Sequence, residues 1–134
     1  MLLTRASEYA LLSLALIGES GEPKDVESLS KQLDISKSFL AKILQGLAKE
    51  GILVSYKGAR GGFALNRPFA EISILEVIEA AEGKSPSVFE CSPAQSCCPS
   101  DRGGSCVIWP FLNRLQHRID DFLDGLTLKD ILKP

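Results

Sequence analysis

Residues 36–65 read SKSFLAKILQGLAKEGILVSYKGARGGFAL, and the changes of pattern within them decide the fold. Leu40, Ile43, Leu44 and Leu47 recur at helical spacing and predict an amphipathic helix. Ser36 opens it as N-cap and Gly51 closes it just past its end. Ile52-Leu53-Val54-Ser55-Tyr56 is short and β-rich, Gly58-Ala59-Arg60-Gly61-Gly62 is turn-forming, and Phe63-Ala64-Leu65 is a second short strand. Together these read as a β-hairpin with a basic tip.

Upstream, an apolar stripe through Tyr9, Leu12 and Leu16 predicts a helix from Thr4 to about Glu19, ended by Gly18 and Gly21-Glu22-Pro23. A second helix starts behind Asp25 and turns Val26, Leu29 and Leu33 inward, with Asp34-Ile35-Ser36 as a short turn. Two short helices, a tight turn and a basic hairpin in this order make a winged helix-turn-helix. Downstream, Ser73-Ile74-Leu75-Glu76 is a capping-box pattern opening a helix that stops at Gly83. Residues 84–106 are too rich in Ser, Pro, Gly and Cys for a regular element. A long helix begins near Trp109-Pro110 with Ile108, Phe111, Leu112, Leu115, Ile119, Phe122 and Leu123 as its stripe, and Thr127 caps a last short helix. The expected fold is mainly α with a small β-hairpin wing and a long C-terminal dimerisation helix. Its expected parts are a DNA-binding domain over 1–82, a cysteine-rich loop over 83–106, and a dimerisation helix with the final short helix over 107–134.

Charge is distributed unevenly. The 134-residue chain carries a net −2, yet residues 36–67 hold six bases against one acid, while 68–134 hold six against ten. A compact basic block on an acidic chain is the footprint of a DNA-reading face, so double-stranded operator DNA is the expected partner. With its leucines inside, the third helix presents Ser36, Lys37, Ser38, Ala41, Lys42 and Gln45. Ser and Gln suit base edges, whereas Lys37 and Lys42 suit phosphates, which position a protein without specifying sequence. The slim tip with Lys57, Gly58 and Arg60 allows Arg60 or Lys57 to enter the minor groove.

Leu11–Ile17 lacks a cleavage site and is too short to span a membrane, so a cytoplasmic protein with no membrane partner is expected. One histidine, no nucleophile–base pairing and no phosphate-binding glycine motif opening a helix argue against an enzyme. Cys91, Cys97, Cys98 and Cys106 fall within sixteen residues. Thiolates in a loop suit an iron–sulfur cluster or zinc, although the Cys-x-x-Cys hooks usual for zinc are missing. A disulfide or thiol redox sensing is the other possibility.

Ser36–Leu47, Gly51-Ile52-Leu53, Lys57–Leu65 and Glu71–Ala80 together resemble the Rrf-type winged helix-turn-helix regulators, the IscR/NsrR-like iron–sulfur cluster regulators. The resemblance covers nearly the whole chain. It implies a homodimer whose long C-terminal helices pair across a two-fold axis, and a 2Fe–2S or 4Fe–4S cluster sensing redox, iron or nitric oxide status. It places Cys91, Cys97 and Cys106 as ligands, with Cys98 as a substitute for Cys97 or a fourth thiolate. Where some members carry a histidine ligand this chain has Trp109, and where others use an acid near the N-terminus of the second subunit it has Glu8. His117 is expected to face solvent or the dimer. The alternative is a regulator of the same fold without a cluster, sensing through cysteine oxidation or a partner protein.

Overall fold

Local signals start and stop the helices. The computed structural model describes residues 3–59, 61–89, 91–94, 96 and 105–132. Helices α1 (Arg5–Ser20), α2 (Val26–Leu33) and α3 (Lys37–Lys49) precede strands β1 (Leu53–Tyr56) and β2 (Gly62–Leu65). A 3-10 turn (Phe69–Glu71) leads into α4 (Ile74–Glu82), followed by α5 (Trp109–Gly125) and α6 (Leu128–Leu132). The Asp25 carboxylate accepts from the Ser28 N–H at 3.3 Å, and the Ser36 hydroxyl from the Phe39 N–H at 3.2 Å. These bonds satisfy donors that have no partner inside a helix. Between α2 and α3, Asp34 turns left-handed at φ 54°, a region its short polar side chain tolerates. The Ser30 hydroxyl ties that turn down by donating to the Ile35 carbonyl at 2.7 Å. Ser73 and Glu76 cap α4 reciprocally, at 2.9 and 3.1 Å.

The hairpin is antiparallel, with Leu53 opposite Leu65 and Tyr56 opposite Gly62. The outer edge of β2 is paired as well: Lys24 and Phe63 exchange N–H···O bonds of 2.9 and 2.8 Å, a single antiparallel bridge to the chain just before α2. Gly62 sits at φ +140° with the Lys24 carbonyl so close that a Cβ would collide with it. That pairing spans thirty-nine positions and has no counterpart in the sequence pattern.

Helix α4 is central and packs against α1, α3 and α5. Leu14, Leu29, Leu40, Leu44, Leu47 and Ile52, with Ile78 of α4 itself, are fully buried in the common core, each contributing about 2 kcal/mol of burial. At the α3–α4 crossing the helices touch backbone to backbone, since a Cβ on Gly46 would stand 2.7 Å from the Ala80 carbonyl oxygen. Helix α1 departs from the expected pattern in two ways. Its buried face is Ser7, Ala10, Ser13, Leu14 and Ile17, leaving Leu12 exposed, because small residues there allow close approach. It also runs through Gly18, whose bare Cα receives the Phe69 ring, and ends at Gly21 with φ 68°. The C-terminal segment folds back: the Ile74 N–H donates to the Leu126 carbonyl at 2.8 Å and the Leu128 N–H to the Ile72 carbonyl at 3.0 Å. Leu123 and Leu128 thereby join the same core as α1 and α3. No described helix is long and apolar enough to cross a membrane.

Candidate nucleic-acid interface and cysteine site

Burial of Leu40, Ile43, Leu44 and Leu47 leaves the opposite side of α3 to solvent. Ser36, Lys37, Ser38, Lys42 and Gln45 are exposed there and Ala41 is half-buried. The first turn of α3 is braced on α1 by an edge-to-face contact between Tyr9 and Phe39, with ring centroids 6.0 Å apart. Among the described residues the ion pairs are Lys31–Glu27 and Arg67–Glu76, so Lys37, Lys42 and Lys57 form none. The Asp25 carboxyl is held below its ordinary value of 3.8, first by its bond to Ser28 and in smaller part by the charge of Lys37. Lys57 and Gly58 are exposed beyond β1, where the Gly61 N–H closes the turn on the Gly58 carbonyl at 2.9 Å. Gly58 has φ +99°, and Gly61 lies so close to the Tyr56 carbonyl that a Cβ would clash. The wing is thin because only glycine fits at these points. Arg60 lies outside the described residues.

A second constellation gathers at the start of α5. Cys91 and Cys106 are free, half-buried thiols. The Trp109 indole N–H donates to the Cys91 carbonyl at 2.8 Å, bringing Cys91 to the residue three places after Cys106. Asn113 Nδ2 donates to the Ser92 carbonyl at 2.9 Å. One turn further, Gln116 is 3% exposed and uses its whole hydrogen-bonding capacity. Its Oε1 accepts from the Val88 N–H at 2.9 Å and the Ser92 hydroxyl at 2.6 Å, while its Nε2 donates to the Pro86 carbonyl at 2.8 Å and to Asp120 at 2.9 Å. Sequence reasoning passed over Gln116. The available signal was its place one turn after Leu112, on the side of α5 that also carries Leu123.

Cys97 and Cys98 lie outside the described residues. Glu8 is exposed in the first turn of α1, in a shallow hollow beside Leu3, Arg5 and Leu11 that no described cysteine lines. Among the described residues no three of His, Cys, Asp and Glu come together as a metal-holding group. His117 is exposed. The donors the structure does place, two unpaired thiols near one helix end, have the softness that iron–sulfur clusters require.

The expected apolar stripe of α5 splits into two faces. Leu112, Gln116 and Leu123 are buried within the subunit, whereas Ile108, Phe111 and Phe122 are 56%, 57% and 67% exposed along a neighbouring line.

A winged helix whose outer helix carries free lysines and short polar side chains defines a DNA-binding transcriptional regulator. The chain belongs to the Rrf2 family, iron-dependent transcriptional regulators, whose sequence profile matches residues 3–134. It is 32% identical over 135 residues to the HTH-type transcriptional regulator IscR of Pectobacterium atrosepticum, covering 98% of this chain and 79% of that protein. It superposes on T. potens IscR with a TM-score of 0.69 at 25% identity, over 98% of this chain and 85% of that one. CymR, the global cysteine regulator of B. subtilis, shares the fold with a TM-score of 0.69 at 22% identity, over 97% and 95% of the two chains.

Proposed function

We propose that this regulator binds operator DNA as a homodimer in the cytoplasm and senses redox, iron or nitric oxide status through an iron–sulfur cluster on the cysteine segment. In this reading residues 1–82 read DNA, 83–106 sense, and 107–134 dimerise. The carrying observation is the outer face of α3, where Ser36, Lys37, Ser38, Lys42 and Gln45 stand exposed beside a glycine wing. Such a helix enters the major groove with Ser38 and Gln45 toward base edges and the lysines toward phosphates. The exposed apolar residues Ile108, Phe111 and Phe122 along α5 support the dimer, because large exposed hydrophobics call for a partner.

Cys91, Cys106 and one of Cys97 and Cys98 would hold the cluster, with the other cysteine or Glu8 of the second subunit completing it. A bound cluster supplies iron that responds to oxidants and nitric oxide. The chain's own part is transmission: Trp109, Asn113 and Gln116 tie the segment around Cys91 to α5. A change in that segment is therefore felt by the dimerisation helix, and a few kcal/mol of differential stability suffices for a switch.

Fluorescence anisotropy on a palindromic promoter fragment tests the DNA reading. Lys37→Ala weakens binding to all sequences and reduces the salt slope by about one. Ser38→Ala and Gln45→Ala change base preference, and unchanged preference removes them from the readout. Anaerobic purification tests the cluster: absorbance at about 400–460 nm with bound iron and sulfide is expected. Cys91→Ala and Cys106→Ala abolish the colour but not the fold. The second reading, thiol sensing without a cluster, is favoured by the half-exposed free thiols of Cys91 and Cys106. It is the one that survives if reconstituted protein stays colourless while peroxide alters operator affinity.

A further inference from the structure

We infer that Lys84 is a DNA-backbone contact whose position is set by the same strap that carries Cys91; the inference rests on the DNA-binding reading above. A hollow runs along one flank of α3, walled by Phe39, Lys42 and Ile43 and, across from them, by Ala81, Glu82 and Lys84 at the end of α4. The acid in that wall is already engaged. Both the Thr4 N–H, at 3.3 Å, and the Ser7 hydroxyl donate to Glu82 Oε2, turning its charge toward α1. Among the described residues neither Lys42 nor Lys84 forms an ion pair. Two lysines thus border a hollow whose one carboxylate is held toward α1 through Oε2.

The major groove is about 12 Å wide and a helix with its side chains about 10–12 Å across. A seated recognition helix therefore has a phosphate wall along each flank. Lys42 reaches that wall from α3, and Lys84 extends the cationic surface along the same flank. Lys84 also borders a second hollow with Glu50, Glu76 and Glu79. There Glu76 is paired with Arg67 and bound by the Ser73 cap, while Glu79 accepts from the Ser85 hydroxyl at 2.9 Å and keeps its charge. Glu50 and Glu79 remain as intramolecular competitors.

Lys84 follows Gly83, the C-cap of α4 at φ 75°, and opens the strap that leads to Cys91. Gln116 holds that strap at three points, Pro86, Val88 and Ser92. Lys84 stands two residues before the first point and Cys91 one residue before the last. A displacement at Cys91 that pulls Ser92 from Gln116 therefore loosens the side chain that also anchors Pro86, two residues after the DNA-facing lysine.

The test is a salt series of operator binding by the full chain. Lys84→Ala is expected to weaken binding about threefold to tenfold, equally on operator and scrambled duplex, and to reduce the log–log salt slope by about one. Lys84→Arg keeps the wild-type slope, and Lys129→Ala, an exposed position of α6, leaves it unchanged. In a Gln116→Leu background Lys84→Ala costs less than half its former log-fold loss. Should Gln116→Leu fail to fold by circular dichroism, Ser92→Ala takes its place in the cycle. An unaltered slope in Lys84→Ala, with wild type binding normally, overturns the contact and leaves Lys84 to the carboxylates of its own subunit. Equal losses in both backgrounds overturn the link through the strap. A wild-type chain that binds no duplex overturns the DNA-binding reading beneath it.

Discussion

Ser92 Oγ lies 2.6 Å from Gln116 Oε1, a hydrogen bond between two buried side chains that joins the residue after Cys91 to the middle of α5. The same hydroxyl is 2.8 Å from the Phe89 carbonyl and accepts from the Phe89 N–H, so its single proton is shared between two acceptors. Ser92→Ala leaves Gln116 Oε1 one donor short and the Phe89 N–H unpaired. We expect a loss of about 1–3 kcal/mol in chemical denaturation and faster alkylation of Cys91. Amide protection in α3 and α4 should not change. Wild-type alkylation kinetics would show that the bond does not order the cysteine segment.

Gly46 sits at the α3–α4 crossing, where an added methyl would stand 2.7 Å from a backbone oxygen. Gly46→Ala gains about 1 kcal/mol of helix propensity but forces the helices apart, at a typical cost of about 1–3 kcal/mol. A lower melting temperature is expected, with weaker operator binding because α3 is re-aimed. A raised melting temperature would mean that α4 gives way freely.

Phe111 and Phe122 are three helical turns apart and share the exposed line of α5. Phe122→Lys places a charge in that line without touching the buried face of Leu112 and Leu123. Sedimentation velocity should change from dimer to monomer while helical circular dichroism is retained. A dimer of undiminished strength would move the interface elsewhere.

Glu76 titrates below its ordinary value of 4.5: burial opposes this, but the Ser73 N–H and the Arg67 guanidinium together outweigh it. A depressed native value stabilises the fold above the ordinary glutamate range, and that contribution disappears as the pH falls through the lower native value. Glu76→Gln should therefore reduce stability near neutrality and flatten its decline in acid. Parallel wild-type and variant curves in pH-dependent denaturation would remove Glu76 as a contributor.

Much of the fold was legible because its signals are short-range. Asp25, Ser36 and Ser73 cap the helices they precede, Gly51 and Gly83 end theirs, and the glycine run after Lys57 makes the thin hairpin. In each case the partner lies within a few residues, so composition and spacing carry the information. The outward set on α3 was legible for the same reason: four leucine-type positions fix the helix phase, and Ser36, Lys37, Ser38, Lys42 and Gln45 fall on the opposite, exposed side.

Periodicity was less informative where small or polar residues face inward. Ser7, Ala10 and Ser13 form the packing face of α1 although the leucines beside them are the stronger hydrophobic signal, because close helix approach rewards small size. The α5 stripe is real in sequence, yet half of it is buried in the subunit and half is bare. Apolar character alone does not say which partner covers it.

From its sequence alone this protein has most of its helix boundaries, its wing and the polarity of α3, all set by chemistry between near neighbours. Only the tertiary structure decided that Gln116 turns inward to grip Pro86, Val88 and Ser92, that Lys24 pairs with Phe63, and that Lys84 and Lys42 border one hollow. These relations join residues twenty-four to forty-two positions apart. A buried polar group needs whichever distant partner packing brings within hydrogen-bond reach, and a surface charge acts through neighbours that only the folded chain supplies.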